Sequence, residues 1–537
     1  MKNLLLPYII ITAFASLLFI PFLGNVHLFD WDEINFTECA REMIVSKNYS
    51  IVQINFQPFW EKPPLFIWMQ LLSMNLFGVN EFASRLPNAI CGIITLLTIF
   101  YIGKKKLGKQ FAVLWVLVFA GSILPHFYFK TAIIDPWFNL FIFLGVYQII
   151  LFFNNPIHNI HIIYSAIFIG LGILTKGPVA LLIFLLCICI YWIKKKSPIV
   201  SLKQIFLFTA VLILIGGSWF FYLIASGNEK IVLDFIVYQI RLLTTEDSGH
   251  GGPFYFHFLV LLIGCFPASV FALRSVFPSI NIFPQKSTDT PFNLFLSRWM
   301  LILFWIVLIL FSIVKTKIIH YSSLCYFPLT FFAAWNIQKI LNGEIRCMKW
   351  MNTLGFVVTF LLGTIFILAP CIEIFKMSLI ESGFVKDVFA IENLKTIVQW
   401  NGTEWLIGFF FLILTFYFFR KISQGKYKFI YGIFIVSLLT TNLLMIAVVP
   451  KVEQYTQGAA IEFYKSKMNE NCIVETIGFK SFAHLFYTNY EPLPTTHKPL
   501  THYFVSKITG YDKMKKEYPK CIELYRKNGF IFWKVVE

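Results

Sequence analysis

Along this chain apolar residues come in long unbroken runs, and polar residues crowd into the gaps between them. A run of about 20 apolar residues is long enough to cross a bilayer as a helix, and about thirteen runs meet that measure. They lie near 4–23, 82–102, 111–129, 133–153, 160–175, 178–193, 204–225, 256–273, 296–314, 318–335, 352–372, 404–419 and 429–449. The pattern predicts a mainly α, polytopic membrane body over 1–449. The first run has no small-residue cleavage site before the acidic stretch that follows, so it reads as an uncleaved anchor.

Two regions depart from this pattern. In 24–81, "EINFTECAREMIVSK" spaces Phe36, Cys39, Ala40, Met43 and Ile44 as one face of a helix. Glu38, Arg41 and Glu42 fall on its other face. That predicts a helix lying in the membrane interface with its polar face outward. "PLFIWMQLLSMNLF" (64–77) is too short to span and reads as a second interfacial helix. In 450–537 the apolar runs stop. "NCIVETIGF" and "GFIFWKVVE" read as strands, and segments near 458–468 and 512–526 as helices, which predicts a small α/β domain. There is no internal repeat.

Composition agrees with the pattern: 58% of the 537 residues are hydrophobic and 14% charged. The net charge of +17 changes the picture only through where it sits. Basic residues gather in alternate loops: Lys104–Lys106 with Lys109, Lys194–Lys196 with Lys203, Arg274 to Arg298, Lys339 to Lys349, and Arg420 to Lys428. That is the positive-inside distribution, so these residues set topology and do not bind nucleic acid. It predicts a cytoplasmic N-terminus, with 24–81 and the C-terminal domain outside. Of ten cysteines, Cys472 and Cys521 share the outer region, where a disulfide is open to them.

The candidate chemistry lies on the outer side. "DWDE" supplies Asp32 and Glu33, either acids solvated at the headgroups or carboxylates at the mouth of a membrane cavity. Asp135 in "KTAIIDPWF" stands at the outer end of a span, before a proline suited to a first helical turn. Its charge also suits the helix dipole. "FWEKPPLFIW" sets Glu61 and Lys62 beside a stiff Pro-Pro. Lys176 in "LTKGPVALL" and Lys317 in "KTKIIHYSSLCYFP" lie outside, against the positive-inside tendency, and are candidate phosphate binders with His320 and the planar fork of Arg241. His250 sits among glycines in "GHGGPFYF". With Glu61 it could bind a divalent metal such as zinc, although two such ligands are a thin signal. Together these groups point to an anionic, membrane-embedded ligand met at the outer surface.

Taken in order, "DWDEINFTECAREM", "FWEKPPLFIW", "SRLPNAI", "KTAIIDPWF", "LTKGPVALL", "GHGGPFYF" and "KTKIIHYSSLCYFP" resemble the aminoarabinose-transferase-like bacterial membrane glycosyltransferases. More distantly they are similar to protein O-mannosyltransferases. The likeness covers most of the membrane body; the C-terminal domain matches only in position and size. It implies a GT-C fold in a bacterial inner membrane. It implies sugar transfer, with inversion, from a polyprenyl phosphate such as undecaprenyl phosphate to a lipid A, glycan or protein acceptor on the periplasmic side. By the same likeness Asp32 and Asp135 are the catalytic acids, with Glu33 beside them. Lys62 meets the donor phosphate, and Glu61 with His250 would hold the metal. One position departs: where the nearest pattern, "DETRYAE", has arginine, this chain has Asn35. A neutral amide cannot supply a fixed charge to phosphate, so either Lys62, Lys176 and Arg241 carry that load or the donor or acceptor differs. A transporter or flippase of a lipid-linked sugar is the alternative. It would be expected to show two corresponding halves with broken helices.

Overall fold

The computed structural model describes residues 2–195, 200–244, 251–277, 290–468, 470–492 and 501–536. Each of the thirteen apolar runs is helical over most of its length. Among the described residues, six helices are long and apolar enough to cross a membrane: Glu81–Lys106, Asp135–Asn154, Pro291–Ile313, Lys349–Leu368, Trp405–Ser423 and Tyr427–Ala447. Two bent pairs raise this to eight if each is one crossing. Lys109–Ala120 turns 81° into Ile123–Lys130, and Leu202–Gly216 turns 58° into Ser218–Ala225. Length and composition thus support six to eight of the expected thirteen or so spans among the described residues. Several runs are interrupted: Phe256–Gly264 and Ala268–Val276 are separated at Pro267, and 318–335 opens with a 3-10 turn, Ile319–Cys325, before Tyr326–Leu341. The chain is a multi-pass membrane protein.

Close helix contacts use small residues, as packing inside a membrane favours. A Cβ on Gly170 would come within 3.0 Å of the Gly216 nitrogen. The helix Ile160–Lys176 is thereby drawn against Leu202–Gly216, which places Lys176, its last residue, near the helix Asp135–Asn154.

The segment 24–81 differs from its expected form. Helix α1 (Lys2–Phe19) is followed by α2 (Asp32–Ser46), and every residue of α2 from Glu33 to Met43 is buried. Its supposed polar face is not in water: Glu38, Arg41 and Glu42 are at most 1% exposed. Arg41 binds Glu38 through both Nε and Nη2 and also donates to the Tyr490 carbonyl at 2.8 Å. Glu42 accepts from the amides of Asn55 and Phe56 at 2.5 and 2.7 Å. Those two residues form the turn of a short hairpin, β1 (Gln53–Ile54) with β2 (Gln57–Pro58), at φ of 55° and 56°. A left-handed phenylalanine is unfavourable, and the carboxylate holds it there. The physical reason for the difference is the C-terminal domain, which covers the polar side of α2. The expected second interfacial segment is a helix, α3 (Leu65–Phe77).

That domain carries a four-stranded sheet in the order β3-β4-β6-β5: β3 (Cys472–Ile477), β4 (Thr501–Lys507), β6 (Phe530–Val535) and β5 (Cys521–Lys527). β3 and β4 are parallel and the other neighbours antiparallel. The helix expected over 512–526 ends at Glu517, and its second half is the edge strand β5. Pro519 follows the helix end, as a residue that cannot continue it. Cys472 and Cys521 are free, because β3 and β5 are opposite edges of the sheet. The core of this domain does not stop at its own boundary. Leu28, Ile34 and Ala132 are part of the same buried cluster as Phe463, Tyr464, Tyr487 and Phe532.

Candidate functional site

The site begins at the N-terminus of α2. Asp32 and Glu33 occupy its first turn, where carboxylates interact well with the exposed amides. They point into different surroundings. Glu33 is 4% exposed and pairs with Arg85 of α4 (Glu81–Lys106): Oε1 accepts from Nε at 2.9 Å and Oε2 from Nη2 at 2.8 Å. It also accepts from the amides of Phe29 and Ala132 at 2.9 and 2.6 Å. Burial raises its pKa, but Arg85 and these bonds prevail and hold it below the usual glutamate value. Glu33, expected as a catalytic neighbour, is a saturated brace between three segments.

Asp32 has no such set of partners. Its side chain is 32% exposed, and its Oδ2 lies 3.4 Å from His320 Nε2. The same nitrogen is 3.7 Å from Oδ2 of Asp135, a carboxylate only 3% exposed. Asp135 opens the helix Asp135–Asn154 with Pro136 in its first turn. Its Oδ1 takes a 2.6 Å ion pair from Lys176, and its buried Oδ2 has no hydrogen-bond partner. Lys176 Nζ also lies over the rings of Tyr321 and Phe138, at 4.9 and 5.7 Å. The loop leading to Asp135 is held by Asn88, whose Nδ2 donates to the carbonyls of Thr131 and Ile133 at 2.7 Å each.

A second group adjoins these acids. Tyr238 donates to Glu61 Oε2 at 3.2 Å, and its ring carries Lys62 Nζ at 5.0 Å and Arg241 Cζ at 5.2 Å. Trp60 meets the same ring edge-on at 5.3 Å. Lys62 is half-buried and forms no ion pair among the described residues. Burial pulls its pKa below the ordinary lysine value; Glu61 opposes this, Lys176 adds to it, and Asp32 and Asp135 are close enough to oppose it too. Lys62 is thus a cation facing a shared acidic and basic pocket without a dedicated counter-ion.

The structure therefore brings Asp32, Asp135, Lys176 and His320 together, with Lys62, Glu61 and Arg241 alongside. Lys317 is elsewhere in function. Its Nζ donates to the carbonyls of Phe311, Ser312 and Val314 at 3.2, 2.7 and 2.5 Å, closing the C-terminal end of the helix Pro291–Ile313. A buried ammonium needs acceptors, and a helix end has orphan carbonyls to offer. That use contradicts its expected phosphate role. His250 lies outside the described residues. Among the described residues no group of three or more His, Cys, Asp or Glu side chains could hold a metal; Glu61 is a lone carboxylate bound to a tyrosine hydroxyl.

Asn35, where the resemblance would put arginine, has a local task. Turned so that both amide atoms are satisfied, it accepts from Trp31 Nε1 at 3.0 Å and donates to the Trp31 carbonyl at 3.2 Å. It holds the indole beside Asp32, with Lys480 Nζ 4.8 Å from the ring. Sequence reasoning also missed Arg85, Asn88 and Tyr238. The first two lie in the quoted "SRLPNAI", and Tyr238 is one helical turn before Arg241.

Comparison with known proteins gives likenesses of sequence and of fold. The profile of the dolichyl-phosphate-mannose-protein mannosyltransferase family matches residues 61–238. An undecaprenyl phosphate-alpha-4-amino-4-deoxy-L-arabinose arabinosyl transferase of Wigglesworthia glossinidia brevipalpis is 26% identical over 357 residues, 65% of this chain and 62% of that protein. Its counterpart in Shewanella sediminis is 24% identical over 344 residues, 64% of this chain and 61% of that protein. The chain thus matches less than two thirds of the length of these relatives. The crystal structure of ArnT from Cupriavidus metallidurans bound to undecaprenyl phosphate superposes with a TM-score of 0.74, covering 98% of each chain at 15% identity. That likeness is one of fold. In fold the chain resembles ArnT, and in the sequence of its membrane body it is similar to the arabinosyl transferases.

Proposed function

We propose that this protein transfers a sugar from a polyprenyl phosphate, of the undecaprenyl phosphate kind, to a lipid A, glycan or protein acceptor. The transfer would take place on the periplasmic side of a bacterial inner membrane, with the N-terminus cytoplasmic and inversion at the anomeric carbon. The observation that carries this reading is the pocket in which Asp32, Asp135, His320 and Lys176 meet beside the unpaired Lys62. Relatives named for undecaprenyl phosphate-linked transfer support it.

In this reading Lys62 receives the donor phosphate, with Arg241 next to it on the ring of Tyr238. Lys176 contributes charge through its pair with Asp135. Asp32 is the most accessible acid of the set, and takes the proton of an acceptor hydroxyl as that oxygen attacks. Where the acceptor is a phosphate oxygen, already ionised, Asp32 positions it instead. A divalent ion, if one is used, would add positive charge at Glu61, with His250 as second ligand. The described residues do not form such a site, and no step here depends on it. Asn35, paired with Trp31, supplies no charge of the kind an arginine would, so either Lys62, Lys176 and Arg241 carry that load or the donor or acceptor differs from that of the aminoarabinose transferases.

The test is mass spectrometry of lipid A, surface glycans and glycoproteins from cells with and without the gene, complemented by wild type or Asp32→Asn. A sugar adduct that needs Asp32 is the expected result. Movement of intact lipid-linked sugar with no covalent product would instead identify a flippase.

A further inference from the structure

Nε2 of His320 faces two carboxylates. Asp32 Oδ2 is 3.4 Å away and Asp135 Oδ2 is 3.7 Å away. A phosphate placed at that nitrogen would lie against both acids, and like charges at that range repel. The second oxygen of Asp135 is already taken by Lys176 at 2.6 Å. Its Oδ2 is buried without a hydrogen-bond partner, an arrangement that costs free energy unless a donor reaches it. The imidazole is the group placed to do so. It also stands between two carboxylates that would otherwise push apart.

The fold fixes the ring by a separate route. Ser323, one turn along, donates its hydroxyl to the His320 carbonyl. Asn139 donates to that same hydroxyl at 2.7 Å. Asn139 is one helical turn beyond Asp135, so one helix carries both the acid and the tie that sets the histidine against it. The ring of Tyr321 closes the circle. It meets His320 edge-on at 5.4 Å and carries Lys176 at 4.9 Å. Asp135, Lys176, Tyr321 and His320 form one ring of contacts, from which Asp32 is reached only through Nε2. The charged groups facing the imidazole are Asp32, Asp135, Lys176 and Lys62.

We infer that His320 is a positioning residue for the acid pair Asp32 and Asp135, and not a ligand of the donor phosphate. Its one Nε2–H is shared between Oδ2 of Asp135 and Oδ2 of Asp32, which leaves Oδ1 of Asp32 to meet the acceptor. The contacts of 3.4 and 3.7 Å are longer than a formed hydrogen bond, and they tighten when substrate fills the pocket. The inference rests on the transferase reading. In the step it serves, the acceptor oxygen forms a bond to the anomeric carbon. The bond from that carbon to the donor phosphate oxygen breaks, and its electron pair leaves on the phosphate. The acceptor proton ends on Asp32, whose other oxygen stays on His320.

The experiment separates holding phosphate from holding Asp32. The probe for binding is undecaprenyl phosphate with full-length protein in detergent; turnover is the initial rate of product formation in membranes at saturating donor. His320→Met removes the N–H at similar volume. It is expected to slow turnover by about 100-fold, as a misplaced catalytic group does, with undecaprenyl phosphate affinity unchanged within about twofold. His320→Gln returns an N–H near the place of Nε2 and is expected to recover about tenfold of that loss. Weaker undecaprenyl phosphate binding with unaltered turnover would overturn the inference and restore a phosphate role. Equal loss in both variants, with a lowered melting temperature, would overturn it in favour of packing alone. Wild-type turnover in His320→Met would overturn it while leaving the transferase intact. Absence of any product from wild type would defeat the transferase reading itself.

Discussion

Asp32 and Glu33 are neighbours on one helical turn, yet they live in opposite conditions. Glu33 is sealed in and answered by a guanidinium and two amides. Asp32 is partly open and answered by one long contact from an imidazole. The same division separates the lysines. Lys317 is satisfied by three carbonyls, whereas Lys62 lies over the face of a tyrosine ring and forms no ion pair among the described residues. Residue type does not tell the working group from the structural one here. The degree of satisfaction does: a group whose bonding capacity is filled has nothing left to give a substrate. The saturated members are also what make the unsaturated ones usable. Glu33 and Arg85 clamp the start of α2 to the loop at Ala132, and Asn88 holds that loop up to Asp135, so both acids hang from one frame.

The comparison breaks most visibly at Asp32. Asp32→Asn is expected to lower transfer by about 10²–10⁴-fold, with the melting temperature in detergent unchanged. A folded variant retaining near-normal product in a membrane assay would end the assignment. Glu33→Gln should do the reverse. Removing one partner of a buried ion pair costs about 3–5 kcal/mol, read as a lower melting temperature and lower yield. Acid sharpens this second case. A carboxyl held below its ordinary value stabilises the fold above that value, and the contribution fades as pH falls through the folded-state pKa. The wild type should therefore lose stability on acidification more steeply than Glu33→Gln. Between the lysines, Lys62→Gln is expected to weaken undecaprenyl phosphate binding by about tenfold, near the value of one charge-assisted hydrogen bond. Lys317→Met should leave that affinity alone and lower the melting temperature. The smallest effect is Tyr487→Phe, which strips the hydroxyl that receives the Leu28 amide at 2.8 Å. About 1–3 kcal/mol of stability should go, from an orphaned buried donor, measurable by thermal unfolding.

Much of the membrane body was legible in the sequence, because a bilayer imposes length and apolarity on each helix and both can be counted. The gathering of Asp32, Asp135 and Lys176 was expected from topology, and each stands at the end of a helix. What could not be read depends on contacts distant in sequence. Glu38, Arg41 and Glu42 have the spacing of a wet face, and the arrival of Asn489 and Tyr490 at Arg41 and of the Asn55–Phe56 turn at Glu42 makes them a buried one. Glu33 could not be told from Asp32 without Arg85, 52 positions on. The strand Cys521–Lys527 looked helical because its outward residues are charged and half-exposed, as on a helix surface. The fixed partner of Asn35 is Trp31, four residues away, yet no periodicity announces an amide that grips an indole.

The shared core of the C-terminal domain and the first loop has a consequence for how the protein is made. Leu28 and Ile34 flank Asp32 and are buried among residues such as Phe463, Tyr487 and Phe532. Gln457 donates to the Leu28 carbonyl at 2.9 Å, and Glu453 lies 3.2 Å from His27. Domains are made and folded in chain order, so the segment around Asp32 reaches its full packing only after residues from Phe463 onward have been made.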